Sequence, residues 1–145
     1  MNTYATFAGG CFWCIQGPFD AEPGVSNVMV GYAGGTREEA HYDHVATGST
    51  QHREAIQMEY DPAIVDYQKL IEIFFRQIDP TDPEGQFADK GFQYTTAIYT
   101  HSDEQRKIAE NFIAQLTASG KFSAPIATQV IPFTTFFAAE KDHQQ

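Results

Sequence analysis

Two cysteines, Cys11 and Cys14, lie three residues apart in the run Gly-Gly-Cys-Phe-Trp-Cys at residues 9–14. Residues 4–8 before this run are typical of a short strand, and residues 11–19 are typical of a helix. A cysteine at a helix N-terminus faces unpaired backbone N–H groups and the positive end of the helix dipole, which favour thiolate over thiol. We therefore predict that Cys11 is the nucleophile of a redox-active pair.

A disulfide between Cys11 and Cys14 requires a local change in this helix. Residues at this spacing on a helix have Cβ atoms about 5–6 Å apart, whereas a disulfide needs a Cβ separation of roughly 3.5–4.5 Å. Gly9 and Gly10 carry no side chain that resists the movement, and they let a substrate approach the Cys11 sulfur. The alternative is that both cysteines are small buried hydrophobic residues, as free cysteines often are.

The histidines and carboxylates do not complete a metal site. A zinc site of the finger type needs two further ligands at a recognisable spacing, and His41 and His44 are too close together to supply them. The acidic stretch at 79–83 lacks the alternating ligands of a calcium-binding loop. We expect neither a metal nor a cofactor.

The chain of 145 residues has a formal net charge of −10. An acidic chain repels phosphate backbones and anionic lipid surfaces, so nucleic-acid and membrane partners are disfavoured. No apolar run approaches the roughly 20 residues that span a bilayer, and the first residues do not resemble a secretory signal. We expect a single catalytic domain over 1–145 that is cytoplasmic and, for want of a long exposed apolar stripe, monomeric.

The strands that would position the cysteines show a two-residue alternation. Residues 28–32 alternate apolar and polar side chains, which is typical of a half-buried strand, and residues 55–60 do so again. If the second strand extends back to Glu54, this carboxylate lies in phase with the apolar face. The alternative is a surface carboxylate paired with Arg53 or Arg37, which is the commoner environment for glutamate.

Two helices are predicted farther along the chain. Asp66 caps the first, and a capping box at 102–105 opens the second, which ends at Gly120. The long connection at 79–93 is expected to have a functional role. The remaining predicted elements are strands at 95–100 and 126–131 and a short irregular helix at 134–143. This order of elements predicts an α+β fold, in which helices pack on one mixed β-sheet with a ferredoxin-like split β-α-β core.

From the cysteine run onward, the chain resembles the peptide methionine sulfoxide reductases of the A class, which reduce the S epimer of methionine sulfoxide. The resemblance extends over nearly the whole chain. Beyond 9–14, motifs similar to those of the family occur in the same order at 30–35, 42, 52–54, 60–62, 79–81, 89–91, 93–94, 139–140 and 143–144. The sequence departs from the family at Ile78, where histidine is often found, and at Thr95-Thr96, where Arg-Ser is more usual.

The resemblance implies how the reaction is divided between Cys11 and Glu54. Reduction of a sulfoxide needs a thiolate to attack sulfur and an acid to protonate the departing oxygen, and these two residues match the family's motifs for those tasks. An ordinary glutamic acid has a pKa of about 4.3 and is ionised at neutral pH. Glu54 must therefore be desolvated, or hydrogen-bonded in its neutral form, to act as the acid.

The resemblance also implies which side chains hold the substrate. Tyr42 and Tyr94 are expected to donate hydrogen bonds to the sulfoxide oxygen, and Phe12 and Trp13 to form an apolar wall for the S-methyl group. Asp89 is expected to bind the backbone or amino nitrogen of the substrate. The alternatives are that the aromatic residues belong to the core, that the tyrosines are half-buried strand ends, and that Asp89 is a solvated loop carboxylate.

The implied cycle converts Cys11 to a sulfenic acid, with which Cys14 condenses to a disulfide. Thioredoxin, an external dithiol protein, is the family's usual reductant for such a disulfide. Many relatives carry the resolving cysteine in a C-terminal tail, but this sequence contains two cysteines, and Cys14 is the expected partner of Cys11. Two other functions stay open: a general C-x-x-C dithiol-disulfide oxidoreductase, and a non-enzymatic module that binds methionyl peptides through the aromatic cluster.

Overall fold

The computed structural model describes residues 3–10, 12–47, 50–86, 89–122 and 124–140, without the side chains of 12–14 and 89. The described residues form strands β1 (Thr3–Gly9), β2 (Val25–Ala33), β3 (Arg53–Tyr60), β4 (Gly85–Gln86), β5 (Asp89–Lys90), β6 (Thr96–Thr100), β7 (Gln129–Pro132) and β8 (Phe136–Ala138). They also form helices α1 (Phe12–Asp20), α2 (Tyr42–Val45), α3 (Tyr67–Gln77) and α4 (Asp103–Ala118), and a 3₁₀ turn at Phe92–Tyr94. No helix of the described residues is long and apolar enough to cross a membrane.

A mixed sheet of six strands in the order β7-β6-β1-β3-β2-β8 organises the fold, and β4 and β5 pair separately as a small hairpin. Strand β3 lies between β1 and β2 and runs antiparallel to both, so β1 and β2 are parallel strands joined through α1 with another strand inserted between them. This is the split β-α-β arrangement. Strand β6 extends the sheet antiparallel to β1, and β7 pairs with β6 in parallel. The predicted α+β fold with a mixed sheet is therefore confirmed.

The two faces of the sheet are covered by different parts of the chain. On the first, which we call the helical face, Phe7 and Ile56 pack in the main core with α1 and α3, and the rings of Phe7 and Phe74 stack with centroids 4.9 Å apart. Each fully buried side chain of this size contributes about 1.5–3 kcal/mol by leaving water. On the second face, small residues around Tyr99 are covered by the chain near Phe136.

Both predicted helix caps are present. The Asp66 carboxylate accepts a hydrogen bond from the backbone N–H of Lys69 at 2.9 Å, and the Ser102 hydroxyl accepts one from that of Gln105 at 3.2 Å. The Gln105 side chain does not complete a capping box with Ser102. Its Oε1 accepts from the backbone N–H of His101 at 2.9 Å, and its Nε2 donates to the carbonyl of Tyr4. Gln105 therefore joins α4 to β1 and β6, which is why it is buried.

The irregular helix predicted at 134–143 is wrong for the described part of that segment. Strand β8 lies there instead and pairs antiparallel with β2, with Ala138 opposite Gly31. A Cβ atom at Gly31 would lie 2.3 Å from the carbonyl oxygen of Phe137 and 2.6 Å from the Phe136 ring. This glycine lets the segment approach β2 closely enough for the edge pairing to prevail over weak local helical periodicity.

The short elements α2, β4 and β5 and the 3₁₀ turn at Phe92–Tyr94 were not predicted from the sequence. Each contains four or fewer residues, too few for an apolar period to be recognised. They nevertheless carry three of the candidate site residues: Tyr42 in α2, Asp89 in β5 and Tyr94 in the 3₁₀ turn. The predicted strand at 126–131 is also shorter than expected, since β7 begins at Gln129.

Candidate active site

The end of β1 meets the start of α1 at Gly9-Gly10, as the sequence predicted. Gly10 has a φ of +90°, and a Cβ atom there would lie 2.8 Å from the Cβ of Gln86. A Cβ atom at Gly9 would lie 2.9 Å from both Ile78 and Phe74. The two glycines are therefore required by the packing of α3 and β4 against this strand end, in addition to the substrate access expected from the sequence.

The cysteine run itself is only partly described. Helix α1 begins at Phe12, one residue after the predicted start at residue 11, and has no acidic residue in its first turn to oppose the positive end of its dipole. Cys11 lies outside the described residues, as do the side chains of Phe12, Trp13 and Cys14. The roles expected for these four residues stay predictions.

Glu54 is buried on the helical face of β3. Its side chain is 1% exposed, and it lies directly opposite Tyr32 on β2. The alternative of a surface carboxylate is therefore wrong. Its neighbour Arg53 projects to the second face, where it contacts Thr95, Tyr99 and Gln129. Burial penalises a carboxylate more than a neutral carboxylic acid. A buried position is therefore the kind of environment that an acid catalyst requires.

Tyr32 and Glu140 join this site, although neither was assigned a role from the sequence. The Tyr32 hydroxyl donates a hydrogen bond to Glu140 Oε1 at 3.1 Å, and the backbone N–H of Tyr42 donates to Glu140 Oε2 at 3.1 Å. Burial, and then the charge and hydrogen bond of Glu140, hold the pKa of Tyr32 well above its usual range, so its hydroxyl stays protonated. Glu54 contributes to this shift as well. Glu140 thus links the end of β8, the start of α2 and the tyrosine opposite Glu54.

A pattern in the sequence could have found Tyr32 but not Glu140. Tyr32 shares its strand face with Val30, and the strand alternation places both on the apolar side. Glu140 is 108 residues away from Tyr32 and comes near it only because β8 pairs with β2.

The 3₁₀ turn that carries Tyr94 is bound to the helix that carries Tyr42. Gln93 Nε2 donates a hydrogen bond at 3.0 Å to the carbonyl of Ala46, which caps the C-terminus of α2. The Tyr94 carbonyl oxygen lies 4.0 Å from the ideal Cβ position of Gly10. The structure therefore brings the Tyr94 backbone to the β1–α1 junction and the turn to α2, while Tyr42 and Tyr94 are both half-buried.

The connection at 79–93 is held against the same junction. The side chain of Gln86 is 2% exposed, and it accepts from the N–H of Asp79 and donates to the Asp79 carbonyl, both at 2.7 Å. This pair of bonds closes the loop that packs Gln86 on Gly10. Asp89 lies in β5 of the same connection, but its side chain is not described, so its contact with a substrate nitrogen stays a prediction.

His52, next to Arg53 in the sequence, stabilises the loop after β2. Its Nδ1 accepts from the backbone N–H of Gly35 at 3.2 Å, and its Nε2 lies 2.7 Å from the carbonyl of Thr36, which fits a neutral imidazole that donates from Nε2. The ring is fully buried. Among the described residues, no three metal-ligating side chains form a cluster.

Known proteins are similar to this chain in both sequence and fold. A family model of the peptide methionine sulfoxide reductases matches residues 3–145. The chain belongs to this family. The reductase is 50% identical over 141 residues to peptide methionine sulfoxide reductase MsrA of Halalkalibacterium halodurans, which covers 97% of this chain and 80% of the relative. Its chemistry is therefore the thiol-dependent reduction of methionine sulfoxide.

Solved structures agree with this assignment. Methionine sulfoxide reductase A of Corynebacterium diphtheriae matches the reductase with a TM-score of 0.85 and 31% identity, over 99% of this chain and 73% of that chain. Reduced Mxr1 of Saccharomyces cerevisiae matches with a TM-score of 0.85 and 31% identity, over 99% of this chain and 82% of that chain. Mxr1 in complex with Trx2 has the same fold, with a TM-score of 0.62 and 24% identity over 98% of this chain and 84% of that chain.

Proposed function

We propose that this chain reduces (S)-methionine sulfoxide to methionine with Cys11 as the nucleophile and Glu54 as the acid. The observation that carries the proposal is the burial of Glu54 on the helical face of the sheet, opposite Tyr32. Burial of a carboxyl group costs stability, so a chemical task is the better explanation for its position, and protonation of a departing oxygen is the task that this reaction requires.

The reaction is a two-electron oxidation of Cys11 coupled to reduction of the sulfoxide. The Cys11 thiolate attacks the sulfoxide sulfur, Glu54 protonates the oxygen, and the oxygen passes to the cysteine sulfur as methionine leaves. Cys11 is then a sulfenic acid. The Cys14 thiol condenses with it and releases water, which leaves a Cys11–Cys14 disulfide. An external dithiol reduces this disulfide by two exchange steps and becomes a disulfide itself.

Tyr42 and Tyr94 hold the sulfoxide oxygen in this proposal. Phenolic hydroxyls stay protonated at neutral pH and can donate to an oxygen that gains negative charge in the transition state. Glu140 acts as a positioning residue, because it binds the backbone of Tyr42 and the hydroxyl of Tyr32 at once. Its carboxylate thereby fixes the start of the short α2 helix next to the site.

The aromatic pair Phe12 and Trp13 forms the wall that receives the S-methyl group, and Asp89 binds the backbone or amino nitrogen of the substrate. A contact between sulfur and an aromatic ring contributes about 0.3–1.5 kcal/mol. The substrate is methionine sulfoxide, free or within oxidised proteins. The reductant is thioredoxin or a similar dithiol protein, which fits a disulfide closed between neighbouring cysteines and the existence of a solved complex of yeast Mxr1 with Trx2. The whole chain, 1–145, acts as one catalytic domain and as a cytoplasmic monomer.

Mass spectrometry of resolved S and R methionine sulfoxide, each incubated with the protein and dithiothreitol, tests the proposal. We expect conversion of the S epimer to methionine, little conversion of the R epimer, and loss of all product in Cys11→Ser. Conversion of both epimers at similar rates would contradict the assigned stereochemistry. Binding of methionyl peptides without any product, unaffected by Cys11→Ser, would show the non-enzymatic binding module instead.

A further inference from the structure

The guanidinium of Arg53 is buried on the second face of the sheet, away from Glu54. Its side chain is 6% exposed and donates three hydrogen bonds: Nε to the Thr95 hydroxyl at 2.8 Å, Nη1 to the Tyr99 hydroxyl at 2.9 Å, and Nη2 to Gln129 Oε1 at 3.2 Å. The guanidinium also lies over the ring of Phe92, with 4.5 Å between its central carbon and the ring centroid.

None of these partners carries a negative charge. The ion pairs of the described residues do not include Arg53, and Asp82, a carboxylate that lines the same pocket as Arg53, is paired with Lys90. A guanidinium has five N–H donors, so about two remain after its three bonds within the described residues. A buried cation without an anionic partner loses hydration that neutral acceptors only partly replace.

A cavity of about 140 Å³ adjoins this guanidinium. Its wall consists of Arg53, Asp82, Pro83, Phe92, Thr95, Thr96, Ala127 and Gln129. At about 30 Å³ per water molecule, it has room for roughly four or five waters, which is enough for a small oxyanion with some hydration but too little for a nucleotide. Gln129 is exposed, and its amide Nε2 has no bond within the described residues, so it is a further donor at the rim.

We propose that this cavity binds a small oxyanion, held by the guanidinium fork of Arg53 and the side-chain amide of Gln129. Guanidinium groups bind carboxylate and phosphate oxygens in pairs, and charge-assisted bonds of this kind are among the strongest hydrogen bonds in proteins. The site is separate from the proposed active site, because Arg53 and Glu54 project to opposite faces of β3. The site lies next to the 3₁₀ turn that carries Tyr94, since Arg53 contacts Phe92 at the start of this turn and Thr95 directly after its end.

The test is a titration of the wild-type protein with inorganic phosphate and with acetate, at constant ionic strength maintained with chloride, followed by NMR or calorimetry. Saturable binding of phosphate alone supports a tetrahedral ligand, and saturable binding of acetate alone supports a carboxylate. Binding of both supports a general oxyanion site. Absence of saturable binding by either anion overturns the proposal.

Gln129→Glu is the decisive variant, because it places a carboxylate of nearly the same shape against Arg53 and so replaces the anion. We expect its affinity for the bound anion to fall by about tenfold or more. Gln115→Glu, at an exposed position of helix α4, makes the same charge change outside the cavity wall and should bind as the wild type does. Equal binding by Gln129→Glu and Gln115→Glu overturns the proposal.

Arg53→Lys provides a second variant in case Gln129→Glu does not fold. It keeps the positive charge but loses the planar fork, so binding should weaken by a similar factor. Thermal unfolding in chloride confirms that each variant is folded before titration. Phosphate also stabilises folded proteins in general, without binding to a specific site. That general effect is the same for all variants, so the comparison that tests the proposal is the difference in anion affinity between the variants and the wild type.

Discussion

Glu54 and Arg53 occupy adjacent positions in β3 but face opposite sides of the sheet. The two-residue period of a strand separates them, so that the carboxyl group lies with Tyr32 in the main core while the guanidinium lies with Tyr99. A one-residue shift in the register of β3 would exchange the two environments. The chemistry that we assign to Glu54 therefore depends on the pairing of β3 with β2.

Replacement of Glu54 with Gln removes the proton that this site is proposed to supply while keeping the shape of the side chain. We expect the rate of sulfoxide reduction to fall by about 10²–10⁴-fold, which is the usual contribution of a general acid. Exchange of a disulfide substrate should change little, because thiolate attack on a disulfide needs no acid. Rates measured with methionine sulfoxide and with a mixed disulfide separate these cases, and retained sulfoxide reduction would disprove the acid role.

Glu140 holds the start of α2 in place through its hydrogen bonds with Tyr32 and Tyr42. In Glu140→Gln the hydrogen bonds from Tyr32 and Tyr42 lose a charged acceptor, so α2 is held less firmly and we expect kcat/KM to fall by about tenfold. Adding Tyr42→Phe to Glu140→Gln should reduce kcat/KM by less than Tyr42→Phe does alone, because Glu140 acts by positioning the Tyr42 hydroxyl, which Tyr42→Phe has already removed.

A double-mutant cycle with steady-state kinetics measures this coupling, and Glu38→Gln on the exposed loop after β2 serves as the charge-matched control. Additive effects of the two changes would show that Glu140 does not act through Tyr42.

At the scale of the elements, the junction of β1 with α1 is the place where several segments converge. Gln86 of β4 packs on Gly10, and the 3₁₀ turn at Phe92–Tyr94 approaches the same residue through the Tyr94 carbonyl oxygen. This 3₁₀ turn is also bound to α2, through the side chain of Gln93. Elements of only two to four residues can hold a fixed position here because buried glutamine side chains bind their backbones.

Gly10→Ala tests whether this junction tolerates a side chain. Alanine is disfavoured at a φ of +90°, and its Cβ would lie 2.8 Å from that of Gln86. We expect a loss of about 1–3 kcal/mol in the free energy of unfolding, measured by urea denaturation.

Gly17→Ala is the matched control for this change. Gly17 lies inside α1 with open space around its Cβ position, and alanine there should stabilise the protein by roughly 0.5–1 kcal/mol. Similar effects of the two substitutions would mean that the backbone at Gly10 is not constrained as described.

For the whole molecule, stability depends on the second face of the sheet as well as on the main core. His101 lies on this face, with its Nε2 2.9 Å from the Thr6 hydroxyl and its ring stacked on Phe133 at a centroid distance of 4.1 Å. Burial lowers the pKa of His101 below its ordinary value of 6.5. The folded protein therefore holds this imidazole neutral at a pH where the unfolded chain binds a proton.

The resulting pH dependence has a definite sign. The neutral imidazole contributes fully to stability above the unfolded pKa of about 6.5, and its contribution is lost as the pH falls from there towards the lower folded pKa. His101→Gln removes the titration and keeps a polar group near Thr6. We expect the wild type to lose stability relative to this variant between about pH 7.5 and pH 5.5. Urea denaturation at both values measures the difference, and a constant difference would contradict the prediction.

The sequence by itself determined the features that depend on neighbouring residues. The strand periods, the caps at Asp66 and Ser102, the strand-to-helix junction at the cysteine run and the core-side phase of Glu54 all follow from patterns a few residues long. The order of these elements was also enough for the α+β fold, because connection rules leave few arrangements for it. The family followed from motifs spread along the whole chain.

Only the tertiary structure decided which distant side chains meet. Tyr32 reaches Glu140 because β8 pairs with the edge of β2, and Arg53 reaches Gln129 because β7 lies beside β6. No local period encodes such contacts, since they depend on where a short segment docks and on glycines such as Gly31 that permit close approach. The sequence therefore predicted the reacting residues, whereas the residues that position them emerged from long-range packing.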